Sequence, residues 1–320
     1  MNDGYTAGAS DYWTGRVDGT AAAYRRWHQV VQCLPLTALQ PLPKAVAFLG
    51  FVSDEGVRRN QGRVGAAEAP AVLRSVLAGL PVHFNAALQL LDVGDIRCQG
   101  TDLESAQQHL AGAVEAIVRS GAFPLLLGGG HEITFPHFLG LKNATRKRIG
   151  IINIDAHLDI RQPSDGRPNS GTGFYQISQL LSNEQQPFSY LAIGIQQIAN
   201  TAALFQYAQQ KGVQIIGADA IHPKKVAAIK KSIRDFAATV DYVYLSIDMD
   251  AFAAPFAPGV SALAFNGIIP DRSFWRVFKV IINLPNLIAV DIAELNPALD
   301  IDNRTARLAA DLIFKIVQQR

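Results

Sequence analysis

Several apolar runs in this chain are too continuous to leave one face wet, and they limit its folds more than any other feature. Ile149-Gly150-Ile151-Ile152-Asn153-Ile154 and Tyr242-Val243-Tyr244-Leu245-Ser246-Ile247 are nearly uniform, as strands are when both faces are covered. Similar short runs recur near residues 45–52, 88–93, 123–127, 190–195, 213–217 and 287–292, which makes eight expected strands. Between them, Leu103, Ala106, Leu110, Val114, Ile117 and Val118 recur every three or four residues, as do Ala309, Leu312, Ile313, Ile316 and Val317. That is the spacing of amphipathic helices. Strand and helix alternating without a linker predict an α/β fold in three α-β-α layers, with a doubly wound, mainly parallel, eight-stranded sheet. Residues 41–320 read as one α/β domain. Residues 1–40, with Trp13, Trp27 and His28, stand outside the rhythm and read as an N-terminal extension packed on the body.

Composition removes whole classes of function. Hydrophobic residues make up 49% and charged residues 18% of the 320, so a disordered or collagen-like chain is excluded. Lys and Arg number 29 against 27 Asp and Glu, leaving no block of basic charge to track a phosphate backbone, and no nucleic-acid partner is expected. No apolar run approaches the roughly 20 residues that span a bilayer, and the first twenty residues lack a signal-type stretch. A cytoplasmic protein with no membrane partner and a small-molecule substrate is the expectation. Cys33 and Cys98 share no CxxC spacing and read as ordinary thiols.

Ligands of open α/β sheets bind outside the carboxyl ends of the strands, so the residues that close each run carry the chemistry. The run 123–127 ends in Gly128-Gly129-Gly130-His131-Glu132, and 149–154 ends in Asp155-Ala156-His157-Leu158-Asp159. The run 242–247 ends in Asp248-Met249-Asp250, and the last passes through Asp291-Ile292-Ala293 to Glu294. In extended backbone Asp155, His157 and Asp159 would share a face, as would Asp248 and Asp250. With His131 they make six convergent donors. Taken singly, each piece has a plainer reading: the triple glycine as a tight turn, a lone Asp as a helix cap. Capping does not account for three strand ends that all carry metal-competent residues. Four crowded carboxylates need cations to neutralise them, and oxygen with imidazole but no thiolate suits two Mn²⁺, with Fe²⁺, Zn²⁺ or Co²⁺ as alternatives. Two such ions roughly 3.5–4 Å apart activate water for hydrolysis. Glu294, on the same rim, could hold a cationic amidine or guanidine.

These four motifs, in this order, resemble the ureohydrolase family of arginase and agmatinase, and the resemblance covers most of the chain. Trp13-Thr14-Gly15-Arg16-Val17-Asp18, Arg26-Trp27-His28-Gln29 and the stretch from Asp54 to Ala67 are similar to the branch that acts on N-formimidoyl-L-glutamate. So are Asn169-Ser170-Gly171-Thr172-Gly173-Phe174, where arginases carry a histidine before Gly-x-Pro, and the segment after Asp250. Gly173 stands where Pro is usual. The resemblance implies an arginase-like fold and two Mn²⁺ per subunit. One ion would be held by His131, Asp155, Asp159 and Asp248, the other by Asp155, His157, Asp248 and Asp250, with Asp155 and Asp248 bridging. It implies hydrolysis of N-formimidoyl-L-glutamate to L-glutamate and formamide in histidine catabolism, and a homotrimer or hexamer. Glu294 would orient the amidine and Asp159 would pass a proton to the departing nitrogen. The two substrate carboxylates call for arginine forks and amide donors. Candidates are Arg161, Arg167, Asn169 and Ser170, with Arg58, Arg59, Asn60 and Arg63 as a second group. A ureohydrolase acting on arginine, agmatine or a guanidino acid, and a non-catalytic metal-binding homologue, are the alternatives left open.

Overall fold

The computed structural model describes residues 4–41, 44–163 and 165–320; residues 1–3 of the expected extension lie outside them. The strands are β1 (Tyr5–Thr6), β2 (Val31–Cys33), β3 (Ala45–Val52), β4 (Gln89–Arg97), β5 (Phe123–Leu127), β6 (Ile149–Ile154), β7 (Tyr190–Ile195), β8 (Gln214–Gly217), β9 (Tyr242–Asp248) and β10 (Leu287–Ala293). The helices are α1 (Glu55–Arg59), α2 (Ala69–Ala78), α3 (Leu103–Arg119), α4 (Thr134–Thr145), α5 (Gly173–Asn183), α6 (Ala202–Gln210), α7 (Val226–Ala237), α8 (Arg272–Ile282) and α9 (Arg304–Val317). One sheet runs β1-β4-β3-β5-β10-β9-β6-β7-β8, with β2 also on β4. Every pairing is parallel except β1 on β4.

Alternation along the strands builds two cores. Val46 and Phe48 of β3, and Leu125 and Leu127 of β5, enter the core shared with α2, α7, α8 and α9. Ala47, Leu49 and Phe51, with Leu126, enter the one beneath α3, α4 and α5. Both faces are therefore dry, as the continuous apolar runs required. Among the described residues no helix is long and apolar enough to cross a membrane.

The eight expected strands are all present, but among the described residues the sheet has ten: β1 and β2 come from the first forty residues and are too short to leave an apolar pattern. The run expected at 88–93 continues to Arg97, because Arg74 pairs with both Asp92 and Asp95, each at 2.7 Å, and lets a charged stretch stay in the sheet. Trp13 donates its indole N–H to Asp92 at 2.6 Å. Trp27, fully buried, packs against Phe48, Phe84 and Phe314; burial of this kind stabilises by about 3–5 kcal/mol.

From β3 the chain steps out to β4, returns past β3 to β5, continues through β6 and β7 to β8 at the far side, and comes back so that β9 and β10 fill the gap between β5 and β6. The carboxyl ends of β5, β10, β9 and β6 thus stand side by side at the reversal of strand order, where open α/β sheets form their binding crevice.

Candidate metal centre

Close approach explains the triple glycine better than anion binding does. A Cβ on Gly128 would lie 2.1 Å from the Ile292 carbonyl oxygen, and one on Gly129 would lie 1.9 Å from that of Ser53. The turn is wedged between β3 and β10 and delivers His131 to a 3-10 turn at His131–Ile133. Opposite it, the Glu294 backbone N–H donates to the Gly129 carbonyl and the His131 backbone N–H to Glu294 Oε1, at 2.9 and 2.8 Å.

All six predicted donors converge, though not through extended backbone as the period-two argument assumed. Asp248 closes β9 and Asp250 lies in the following 3-10 turn, where its N–H donates to Asp248 Oδ1 at 2.7 Å. After β6 the chain bends at Ala156–His157, and Asp159 has φ 48°. Tight turns gather more donors on one point than a straight strand can. Glu294 also sits at positive φ, 65°. Such backbone is costly for side chains other than glycine, Asn or Asp, and it persists where surrounding structure holds it.

Among the described residues two groups have ligand atoms close enough to share an ion: His131, Asp155, Asp159 and Asp248; and Asp155, His157 and Asp250. Asp155 belongs to both. Asp248 belongs to the first, with its Oδ2 3.2 Å from His131 Nδ1, and its Oδ1 is turned to the Asp250 N–H. His131 Nδ1 lies 2.8 Å from Asp159 and 3.3 Å from Asp155; His157 Nδ1 lies 3.1 Å from Asp250 and 3.5 Å from Asp155. His157 is 25% and Asp159 14% exposed, while the others are nearly sealed, so the centre opens to solvent on that side.

The electrostatics are those of excess negative charge in a dry place. Burial, then Asp250 and Asp155, push the Asp248 carboxyl well above the usual range. Burial, with Asp155 and Asp159 opposing the help of His157, also raises Asp250. At Asp155, burial works upward but hydrogen bonds from His131 and His157 win and hold it low. Burial opposes the charged form of His131, yet Asp248, Asp155 and Asp159 hold it well above the ordinary histidine value; Asp250 raises His157. Glu294 is pushed up to about 8 by burial and then by Glu132, and Glu132 to about 7 by burial.

The residues fit divalent cations. His131 Nε2 faces the Ser246 hydroxyl at 2.9 Å, and Ser246 spends its proton on Asp291 Oδ1 at 2.6 Å. In the neutral ring Nε2 therefore carries the hydrogen, and the Nδ1 lone pair faces three carboxylates. Asp250 Oδ1, buried, also has no hydrogen-bond donor among the described residues. With the ring neutral, acceptors then aim at acceptors and need a cation between them, and oxygen with imidazole is a donor set for Mn²⁺ and its neighbours. Neither Cys33 nor Cys98 belongs to either group.

The substrate-binding candidates divide. Arg161 donates to Asn60 Oδ1 at 2.9 Å, and Asn60 donates to Ser170 Oγ at 3.1 Å. Arg167 is exposed, and its side chain makes no ion pair among the described residues. The others have local work. Arg63 binds the Ser261 and Val260 carbonyls, Asn169 caps the turn at Ser170–Thr172, and Arg58 and Arg59 pair with Glu55. A Cβ on Gly173 would fall 1.9 Å from Thr134 Oγ1. Sequence reasoning passed over His137, Tyr244 and Glu132, and it gave Ser246 and Asp291 no role. Two signals were available: Ser246 shares a strand face with Asp248, and Asp291 is a lone charge in an apolar run.

Comparison with known proteins agrees with this geometry. The chain is 42% identical over 312 residues to formimidoylglutamase of Ralstonia nicotianae, covering 95% of this chain and 94% of that one. It is 44% identical over 309 residues to formimidoylglutamase of Nocardia farcinica, covering 95% of each. The crystal structure of Trypanosoma cruzi formiminoglutamase with Mn²⁺ superposes with a TM-score of 0.77 at 29% identity, over 89% of this chain and 97% of that one. Residues 44–318 match the Arginase family, and the chain belongs to that family.

Proposed function

We propose that this protein hydrolyses N-formimidoyl-L-glutamate to L-glutamate and formamide, using two Mn²⁺ ions. The observation that carries the proposal is the convergence of His131, Asp155, Asp159 and Asp248, and of Asp155, His157 and Asp250, at the strand ends where sheet order reverses. Its support in kind is the set of formimidoylglutamases at 42–44% identity. The first group would hold one ion; the second, with Asp248 as a shared ligand, would hold the other. In this reading residues 41–320 are the catalytic unit, and the described part of the extension, residues 4–40, packs against it. When bound, the ions neutralise the carboxylates and make water a usable nucleophile near neutral pH.

The rest falls to the chain's own groups. Glu294 Oε1 is committed to the His131 N–H, and Oε2, without a hydrogen bond among the described residues, is left for the amidinium. Its carboxyl, raised to about 8 by burial and then by Glu132, ionises more readily once a cation lies beside it. A charge-assisted hydrogen bond then orients the amidine carbon toward the centre. Asp159, 14% exposed, would take a proton and deliver it to the glutamate nitrogen. On the open side Arg161, steadied by Asn60 and Ser170, receives a substrate carboxylate.

Arg161→Ala is accordingly expected to raise KM roughly 10- to 100-fold with kcat changed much less, the worth of a hydrogen bond to a charged group. Arg167→Ala should give a smaller rise. Steady-state kinetics on N-formimidoyl-L-glutamate checks both, and unchanged KM in the pair removes this loop from recognition. The reading as a whole is tested by assaying glutamate release from N-formimidoyl-L-glutamate beside urea release from arginine and agmatine, with Mn²⁺-loaded protein. Glutamate alone is expected; urea alone would contradict the proposed substrate.

A further inference from the structure

Behind His131, a buried polar chain crosses from the sheet to helix α4, and none of the chemistry above uses its far end. Asp291, in the middle of β10, is fully buried. It accepts from Ser246 Oγ at 2.6 Å, from the Tyr244 hydroxyl, and from His137 Nδ1 at 2.6 Å. Three donors satisfy a carboxylate that would otherwise be costly to bury. Ser246 has one proton, and Asp291, an acceptor only, takes it. Toward His131 Nε2 the serine oxygen can then only accept.

His137 completes the chain at a visible cost. Its ring is fully buried against Tyr244, with centroids 4.6 Å apart, and its Nε2 has no hydrogen-bond partner among the described residues. A residue serving packing alone would not need a stranded polar atom; a residue serving as the Nδ1–H donor to Asp291 does.

We propose that Ser246, Asp291, Tyr244 and His137 are positioning residues that fix the tautomer and tilt of His131, committing its Nδ1 lone pair to the cation. The inference rests on the metal reading above for the presence of that cation. Without the Ser246 acceptor, Nε2 loses the partner that keeps its hydrogen, and the ring is free to turn. Groups that orient a metal-binding imidazole in this way tune affinity as well as geometry.

The test uses full-length wild type, Ser246→Ala, His137→Leu and His137→Asn. Free Mn²⁺ is followed by electron paramagnetic resonance during titration, and melting is measured in EDTA. We expect Ser246→Ala and His137→Leu to weaken Mn²⁺ binding on the order of 10- to 100-fold. His137→Asn, whose amide can replace the Nδ1–H, should recover most of the loss. Lower melting in EDTA with wild-type Mn²⁺ affinity in Ser246→Ala and His137→Leu would mean structural support only and overturn the inference. Should Ser246→Ala fail to fold, ¹⁵N-histidine spectra of the Zn²⁺-loaded wild type decide: a hydrogen on His131 Nε2 supports the proposal, a bare Nε2 overturns it. Wild-type protein that binds no Mn²⁺ would instead defeat the metal reading, and this inference with it.

Discussion

Asp155→Asn is expected to lower turnover by on the order of 10³-fold or more, since the cations supply several kcal/mol of the rate enhancement, and to leave fewer than two Mn²⁺ per chain. Asp155 belongs to both donor groups. Its Oδ2 lies 3.3 Å from His131 Nδ1 and accepts from Asn153 Nδ2 at 2.9 Å; its Oδ1 accepts from the His157 N–H at 2.7 Å. An amide keeps the shape but offers one oxygen and no charge, and its NH₂ must face either the cation or another donor. The fold should survive. Without metal, burial pushes the Asp155 carboxyl upward but hydrogen bonds from His131 and His157 hold it low, so its charge stabilises the fold at neutral pH and its removal should lower the EDTA melting temperature modestly. Metal analysis, turnover and melting separate the two effects. Full Mn²⁺ content and wild-type turnover in Asp155→Asn would remove Asp155 from the centre.

Glu294→Gln should act on the substrate instead of the metal. Glutamine can still accept the His131 N–H through its amide oxygen, so the centre keeps its framework and its Mn²⁺. The charge-assisted bond to the amidinium is lost, and the substrate cation is left in a buried space without its counter-charge. Roughly 100-fold in kcat/KM is expected, about the worth of a hydrogen bond to a charged group. Kinetics with parallel metal analysis checks it. A fall in Mn²⁺ content to match the fall in activity would show that Glu294 supports the metal and not the amidine.

The parts of this molecule legible in the sequence are those whose signal is local. Ile149–Ile154 and Tyr242–Ile247 announce buried parallel strands by composition alone, and the six donors follow strand ends directly. Elements that depend on distant partners were not legible. β1 and β2 are strands only because β4 offers an edge, and β4 runs through Asp92 and Asp95 only because Arg74, on another element, neutralises them. The same holds in the site. Arg63 and Asn169 look like substrate donors by type and loop position, yet each is tied to nearby backbone. His137 and Asp291 are 154 positions apart, and nothing in either neighbourhood indicates that they meet. Extended geometry brought the metal donors together for the wrong local reason, since bends and a positive φ at Asp159 achieve the convergence.

The proposed centre holds two divalent ions on these six side chains. Anomalous diffraction at the manganese edge, from crystals grown with Mn²⁺, tests this most directly. Two peaks are predicted, one among His131, Asp155, Asp159 and Asp248 and one beside His157 and Asp250, with Asp155 touching both. A single peak, or manganese bound elsewhere while this cluster stays empty, would contradict it.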